Sequence, residues 1–149
     1  MQTKKQVLGD KGEKLVSKYC TCPKCKREGT LKQLRQNFIC ADLICDFCGY
    51  LAQVKSKSSN NINILPKSIP GAAWEVQKER LDSGIYMPLF IVLYASDNEF
   101  SVYYLPVDFQ SPELFIPRKP LSENAKRSGW QGFYYDFTKL QDGSIVRLK

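Results

Sequence analysis

Cysteines and one short polar pattern carry most of the chemistry that this sequence could perform. Four of the cysteines form two Cys-x-x-Cys pairs: Cys22, Cys25, Cys45 and Cys48. Asp42, Gln53 and Lys55 lie between and just after these pairs in the pattern D-x10-Q-x-K. Thiolates are ligands for zinc, whereas carboxylate and carbonyl oxygens suit magnesium. The sequence therefore predicts two different metal sites in one short segment.

The paired cysteines predict a structural zinc site. Two Cys-x-x-Cys knuckles about twenty residues apart supply the four thiolates of a tetrahedral site. Because four thiolates fill every coordination position, the ion would stabilise local folding, by something on the order of 10 kcal/mol, and would not catalyse. Cys20 and Cys40 compete as ligands, but we predict that they are small packing residues.

Asp42, Gln53 and Lys55 predict a magnesium-dependent centre that hydrolyses phosphodiesters. Side chains alternate along a strand, so Gln53 and Lys55 point to one face, and a hairpin can fold them back opposite Asp42. The backbone carbonyl of Val54 adds another oxygen. Oxygen ligands would hold the metal while Lys55 stabilises negative charge at the phosphate. The alternative is an ordinary aspartate at a sheet end, since so loose a pattern often arises by chance.

Composition narrows the classes of function. The chain has 149 residues, with 22 Lys plus Arg against 15 Asp plus Glu, and its net charge of +7 favours a polyanionic partner. The sequence contains no histidine, which excludes Ser-His-Asp triads and nucleases that depend on histidine. The longest apolar run is too short to span a bilayer and no secretion signal is recognisable, so we predict a cytoplasmic protein without a membrane partner.

Periodicity predicts the elements that position these residues. Apolar residues recur at helical spacing from about residue 6 to 20 and again from 72 to 81. Two antiparallel strands, 37–46 and 50–56, are expected on either side of the second knuckle. Residues 89–95 form a continuously apolar strand, and 99–105 form its partner. A short helix is expected near 122–127, and two terminal strands near 133–137 and 145–148.

Several motifs follow one another in a specific series. They are Glu13 on the first helix, Cys22-Pro-Lys-Cys25, Ala41-Asp42-Leu43-Ile44-Cys45-Asp46-Phe47-Cys48, Gln53-Val54-Lys55-Ser56-Lys57, Arg118-Lys119-Pro120-Leu121 and Ala125-Lys126-Arg127-Ser128-Gly129-Trp130-Gln131-Gly132. This series resembles the DpnI-type and Dam-replacing restriction endonucleases of the PD-(D/E)xK superfamily. The resemblance extends over most of the chain.

The resemblance implies a fold and an activity. The fold would be α/β (α+β), a restriction-endonuclease-like mixed sheet flanked by helices, with a four-cysteine zinc ribbon inserted at about residues 20–50 of a single nuclease domain, 1–149. The activity would be Mg²⁺-dependent cleavage of double-stranded DNA at GATC-type sites, sensitive to adenine methylation. Such enzymes carry a C-terminal winged-helix domain that this chain is not expected to contain. A homodimer or a separate DNA-reading subunit could replace it.

The resemblance also implies roles for further residues. Glu13 would help to hold the catalytic metal, although an exposed helical glutamate is the alternative. Trp130 would sense the methyl group of the adenine. The residues implied to bind DNA are Lys57, Arg118, Lys119, Lys126, Arg127 and Trp130. Without the resemblance, solvated charges and a core tryptophan would be the simpler interpretation of residues 117–130.

Gln53 keeps a rival hypothesis open. It stands where the superfamily usually has an acidic residue, and its amide offers the metal an oxygen without a charge. A catalytically impaired zinc-ribbon protein that binds DNA without cutting it is therefore the main alternative. A redox protein that uses one Cys-x-x-Cys pair is a third, and it would require a metal-free, exposed dithiol.

Overall fold

The computed structural model describes residues 2–36 and 38–149. The two α-helices are α1 (Lys4–Tyr19) and α2 (Trp74–Asp82). The strands are β1 (Leu31–Gln33), β2 (Leu43–Cys45), β3 (Leu51–Ser58), β4 (Ser68–Ala73), β5 (Leu89–Ser96), β6 (Glu99–Leu105), β7 (Phe115–Pro117), β8 (Gly132–Asp136) and β9 (Val146–Arg147). Three short 3-10 helices span Val107–Phe109, Pro112–Leu114 and Phe137–Lys139.

The contacts divide the chain into two compact units that alternate along the sequence. The first unit contains Met1–Leu65, Met87–Val107 and Ile145–Lys149, and the second contains Pro66–Tyr86 and Asp108–Ser144. Each unit has its own sheet and its own buried side chains. The single nuclease domain expected for residues 1–149 stays a prediction.

A mixed sheet of six strands forms the frame of the first unit, in the order β1-β2-β3-β5-β6-β9. Strands β3 and β5 are parallel, with Gln53 opposite Leu89 and Lys55 opposite Ile91, and all other neighbours are antiparallel. Residues 89–93 of β5 are all buried, as expected of a strand covered on both faces. The sheet thus holds β3 firmly between a hairpin partner and a buried strand.

Helix α1 packs on this sheet. Particular residues explain where the helix begins and how closely it approaches the sheet. Thr3 and Gln6 form a capping box, in which the Thr3 hydroxyl accepts from the Gln6 amide and the Gln6 side chain accepts from the Thr3 amide. Gly12 is buried, and a Cβ built on it would lie 1.8 Å from Ser56 Oγ. The glycine therefore allows the helix to approach β3 closely, which brings the next residue, Glu13, near that strand.

The second unit is built on a smaller antiparallel sheet with the order β4-β8-β7. Its core is aromatic: Phe115 lies 5.8 Å from Phe133 and 5.3 Å from Tyr135, measured between ring centroids. A β-bulge or irregularity in the pairing of β4 with β8 falls between Pro70 and Ala73. Strands β7 and β8 are joined by the loop 118–131, which contains most of the predicted DNA-binding residues.

The predicted fold class is confirmed, with corrections of detail. The structure is a mixed α+β fold, and its first helix and the strands at 89–96 and 99–105 agree with the sequence. Strand β1 was not anticipated. The helix predicted near 122–127 is wrong: this segment forms turns, because the chain folds back on itself between Leu121 and Trp130 and Gly129 adopts a left-handed φ of 76°. Part of the strand predicted for 37–46 lies at residue 37, outside the described residues.

Within residues 2–36 and 38–149, no helix has the length and apolar character needed to cross a membrane.

Candidate active site and metal-binding cluster

A three-stranded ribbon, β1-β2-β3, carries the cysteine cluster at one end and the predicted catalytic residues at the other. Leu31 pairs with Cys45 near the cysteine end, whereas Gln33 pairs with Leu43 near the opposite end. On the other side of β2, Leu43 pairs with Ala52. Asp42 comes immediately before β2 and Cys45 ends it, so the two candidate sites are only three residues apart.

The two cysteine knuckles have the same backbone geometry. In the first, the Lys26 amide donates to the Cys22 carbonyl at 2.9 Å and the Cys22 amide donates to Arg27 at 3.0 Å. In the second, the Gly49 amide donates to the Cys45 carbonyl at 2.9 Å and the Cys45 amide donates to Tyr50 at 2.8 Å. Each loop therefore turns its two thiols in the same way toward a common centre.

The four cysteines could bind a metal such as zinc. Their sulfurs all lie within 4.8 Å of one another. The distance from Cys22 Sγ to Cys48 Sγ is 3.6 Å, and that from Cys25 Sγ to Cys45 Sγ is 3.7 Å. A zinc–sulfur bond of about 2.3 Å implies sulfurs about 3.8 Å apart in a tetrahedron. The spacing fits this ion without rearrangement.

The environment of the thiols also suits a cation. Burial raises the pKa of Cys45, but hydrogen bonds to Thr30 and to the amides of Cys48 and Phe47 outweigh it and lower that pKa to about 6. Burial raises the pKa of Cys22 to about 11. A bound divalent ion would favour the thiolate at each position, because coordinated thiols lose their protons. Cys20, by contrast, is buried in the hydrophobic core outside this cluster.

Asp42 is fixed at the opposite end of the ribbon. Its amide donates to the Ala52 carbonyl at 2.9 Å, and its own carbonyl accepts from Leu34. The carboxylate Oδ2 accepts from the Val54 amide at 2.8 Å. Because the amide and carbonyl of one strand residue point to the same side, the Val54 carbonyl faces the edge that Asp42 occupies. An oxygen of the Asp42 side chain and the backbone oxygen of Val54 therefore lie near each other where β2 begins.

Gln53 and Lys55 lie on one face of β3, in alternation with the buried Ala52 and Val54. The Gln53 side-chain nitrogen donates to the Cys40 carbonyl at 3.1 Å, and its backbone amide donates to Pro88 at 2.9 Å. A glutamate could not make the first of these bonds, so the amide side chain matches its surroundings. Lys57 continues along the same face of the strand.

Glu13 lies close enough to Asp42 and Lys55 for their charges to interact. Burial and then the negative charge of Asp42 raise the pKa of Glu13 to about 7, while Lys55 acts in the opposite direction. Two carboxylates beside each other disfavour simultaneous ionisation, and a divalent cation between them would remove that penalty. The donor set of carboxylates and carbonyls is the kind that magnesium binds. The residues present thus fit this ion.

Gln33 also belongs to this cluster of polar side chains, although the sequence analysis did not identify it. Its side-chain nitrogen donates to Asp10 Oδ1 at 2.9 Å and to Glu13 Oε1 at 3.3 Å. Asp10 is also paired with Lys14, at 2.8 Å. Gln33 therefore ties the ribbon to α1 and orients the Glu13 carboxylate. Only the unanticipated strand β1 places it there, and no motif in the sequence marks it.

The loop between β7 and β8 carries the basic residues predicted for the second unit. Two backbone hydrogen bonds close this loop. The Arg118 amide donates to the Gly132 carbonyl at 2.9 Å, and the Leu121 amide donates to the Trp130 carbonyl at 2.8 Å. Exposed side chains on the loop include Lys119, Lys126 and Arg127. The loop thus presents clustered positive charge from a closed backbone.

Trp130 is half-buried on this loop and lies close to Arg127 and to the backbone of Gly132. The Arg127 guanidinium lies 4.5 Å from its ring centroid, and a Cβ on Gly132 would lie 2.8 Å from the ring. Trp74, the first residue of α2, is half-buried, and its ring centroid lies 6.2 Å from that of Phe133. Both tryptophans line one pocket of about 360 Å³, together with Gln131. The indole of Trp130 is therefore held in place beside an open space.

These features define a class of protein: a mixed α+β domain in which a four-cysteine ribbon supports a cluster of carboxylate, amide and lysine side chains. The model of the DpnI family, also called the Dam-replacing family, matches residues 2–148. The chain therefore belongs to this family. This membership indicates a restriction-endonuclease-like function, with DNA as the substrate.

Proposed function

We propose that this protein is a magnesium-dependent endonuclease that cleaves double-stranded DNA at GATC-type sites and responds to adenine methylation. The observation that carries the proposal is the convergence of Glu13, Asp42 and Lys55 at the end of the ribbon. Family membership supports the same class of reaction. The cytoplasm is the expected location of the activity, and a structural zinc in the cysteine cluster is part of the proposal.

In the proposed mechanism, Asp42 and Glu13 would hold a magnesium ion together with carbonyl oxygens near Gln53 and Val54. When bound, magnesium polarises a phosphate oxygen and lowers the pKa of a coordinated water. The Val54 amide fixes the Asp42 carboxylate, and the Cys40 carbonyl fixes the Gln53 amide, so neither ligand needs to reorganise. Lys55 stabilises the negative charge that develops at the attacked phosphate and orients the attacking water.

DNA binding is assigned to two surfaces. Lys57 lies on the strand that carries Lys55 and would contact a neighbouring phosphate. In the second unit, the basic loop would contact phosphates through Arg118, Lys119, Lys126 and Arg127, which position the protein without reading sequence. Trp130 would place its indole against the methyl group of the modified adenine. Its fixed position beside a pocket supports that role, because a rigid apolar face can discriminate a methyl group by contact.

The test is a digestion of two plasmids, one methylated at the adenine of GATC and one unmethylated. We expect discrete fragments from one plasmid, a requirement for Mg²⁺, and no fragments with Lys55→Ala. The same assay with Trp130→Ala should reduce the preference between the plasmids about tenfold, since one lost apolar contact typically costs about 1–2 kcal/mol. Phe109→Ala removes an exposed aromatic side chain of the second unit that does not line the pocket beside Trp130, and it should keep the preference.

The outcomes separate the proposal from its rival. Equal cutting of both plasmids would retain the nuclease and remove methyl sensing. No cutting with any divalent ion, combined with salt-sensitive DNA binding, would favour the zinc-ribbon protein that binds without cleavage. The neutral amide of Gln53 is the one feature that favours this rival, because a metal held by fewer charges binds more weakly.

A further inference from the structure

The two cysteine knuckles differ at one structurally equivalent position. Lys26 follows the first pair and Gly49 follows the second, and both amides donate to the first cysteine carbonyl of their loop. Both residues adopt a left-handed backbone, with φ of 65° for Lys26 and 78° for Gly49. Glycine tolerates this conformation without strain, whereas a residue with a Cβ does not. The first knuckle therefore carries a lysine where the same geometry favours glycine.

The positive φ of Lys26 distinguishes the first knuckle and allows a matched substitution, since glycine removes the charge and the strain together. Among residues 2–36 and 38–149, Lys26 is the single non-glycine residue with a positive φ. Backbone of this kind persists where the surrounding structure determines it, and here the two backbone hydrogen bonds of the knuckle do so. Lys26 is exposed. Its ammonium group is therefore available for a contact with something outside the protein.

Two neighbours make the first knuckle a concentrated positive surface, hereafter the knuckle surface, composed of Lys24, Lys26 and Arg27. All three side chains are exposed, and in the described part of the chain no carboxylate forms an ion pair with any of them. The Arg27 guanidinium stacks 3.6 Å from the ring centroid of Phe47, which is 59% exposed. The stacking holds one cation in a defined place, as a phosphate contact requires.

The ribbon sets the distance between the knuckle surface and the candidate active site. Asp42 and Cys45 are three strand residues apart, and at about 3.3 Å per residue they are separated by about 10 Å. Successive phosphates on one DNA strand are about 3.4 Å apart along the helix axis. For a duplex that runs along the ribbon, the knuckle surface would therefore meet the backbone at or beyond about the third phosphate from the one at the metal. Both sites belong to one continuous ribbon, so this spacing is rigid.

We propose that the knuckle surface is a second DNA contact, which grips the phosphates of the duplex flanking the cleavage site. The zinc site would then have two tasks: it stabilises the ribbon and it holds Lys26 and Arg27 at a fixed distance from Asp42. This inference rests on the proposed function, since it needs duplex DNA at the end of the ribbon. It adds a binding surface that the catalytic residues and the basic loop of the second unit do not include.

The test compares Lys26→Gly with the parent protein in two measurements, without added magnesium so that no cleavage occurs. Removal of the strain should leave the Tm unchanged or raise it by up to about 3 °C. Affinity for a long duplex containing methylated GATC should fall about three- to tenfold at moderate salt, and the slope of log K against log salt should decrease in magnitude by about 0.9. A variant that is more stable and binds less tightly is not explained by damage to the fold.

Three controls sharpen the result. Lys26→Arg should retain most of the affinity, because it keeps the charge. Lys139→Gln removes an equally exposed lysine from the second unit and should change binding by less than twofold. A short duplex in which every linkage outside the GATC site is a neutral methylphosphonate lacks the flanking charges, so the parent and Lys26→Gly should bind it equally.

Each contrary result overturns a defined part of the proposal. Equal affinity and equal salt slope for the parent and Lys26→Gly on the long duplex would disprove the knuckle contact, and plasmid cleavage would still decide the nuclease separately. A lower Tm for Lys26→Gly would show that the side chain is structural. Equal losses on the long and short duplexes would refute the flanking position. A parent protein that bound no duplex DNA would overturn this contact and the proposed function together.

Discussion

The two ends of the ribbon carry opposite kinds of metal chemistry. At one end four soft thiols surround a common centre, with sulfur–sulfur distances as short as 3.6 and 3.7 Å. At the other end hard oxygens of Asp42 and Glu13 lie with Lys55. Thiols that fill a tetrahedron leave no position for a substrate, whereas magnesium keeps several water positions when few protein ligands bind it. On the proposed function, the first end would supply stability and the second end would supply the chemistry.

The largest effect should come from the cysteine end. We expect Cys45→Ser to lose bound zinc and to unfold the ribbon, because one ligand of four is removed and metal binding is coupled to folding. The stability of the zinc-loaded protein should fall by at least about 3 kcal/mol. Zinc content by elemental analysis and thermal unfolding would measure both changes. Cys40→Ser, outside the cluster, is the matched control; a folded, zinc-loaded Cys45→Ser would refute a structural zinc.

A second prediction separates chemistry from stability. Lys55→Ala should reduce DNA cleavage by about a thousandfold or more, because it removes a charge that stabilises the transition state. The free energy of unfolding should change by less than about 1 kcal/mol, as is usual away from packed cores. Single-turnover cleavage and a denaturant melt would measure the two, with Lys67→Ala as a control for loss of an exposed lysine. If Lys55→Ala cut DNA at the parental rate, this end of the ribbon would not be the active site.

The smallest expected effect concerns the pH dependence of the metal-free protein. The pKa of Glu13 is raised from 4.5 to about 7, mainly by burial, so the folded state binds the proton more tightly than the unfolded state. The parent should lose stability as the pH rises from about 4.5 to 7, and Glu13→Gln should not. The difference should reach roughly 1 kcal/mol, because solvent screens a half-buried carboxylate.

Thermal melts of the parent and Glu13→Gln across this pH range would measure that difference. Addition of Mg²⁺ at pH 8 should stabilise the parent more than Glu13→Gln, since the ion requires the ionised carboxylate. Parallel pH curves for the two proteins, with equal responses to magnesium, would show that Glu13 belongs to neither the charge cluster nor the metal site.

Local patterns in the sequence predicted a large part of this protein. The spacing of the cysteines predicted a four-thiol cluster, because a Cys-x-x-Cys pair forms its own turn and needs only one partner pair. The alternation of Gln53 and Lys55 predicted a shared face of β3, since strand geometry places every second side chain on one side. The apolar run at 89–95 predicted a buried strand. Each of these inferences depends on neighbours within a few residues.

The tertiary structure alone decided the rest. It paired β3 in parallel with β5, brought Glu13 of α1 beside Asp42 through the close approach at Gly12, and added Gln33 to orient Glu13. It also turned the segment 122–127 into a closed loop where helical spacing had suggested a helix. These outcomes depend on contacts between residues far apart in the chain. The energies of these contacts come from packing and from interactions between charged side chains, which no local pattern of residues encodes.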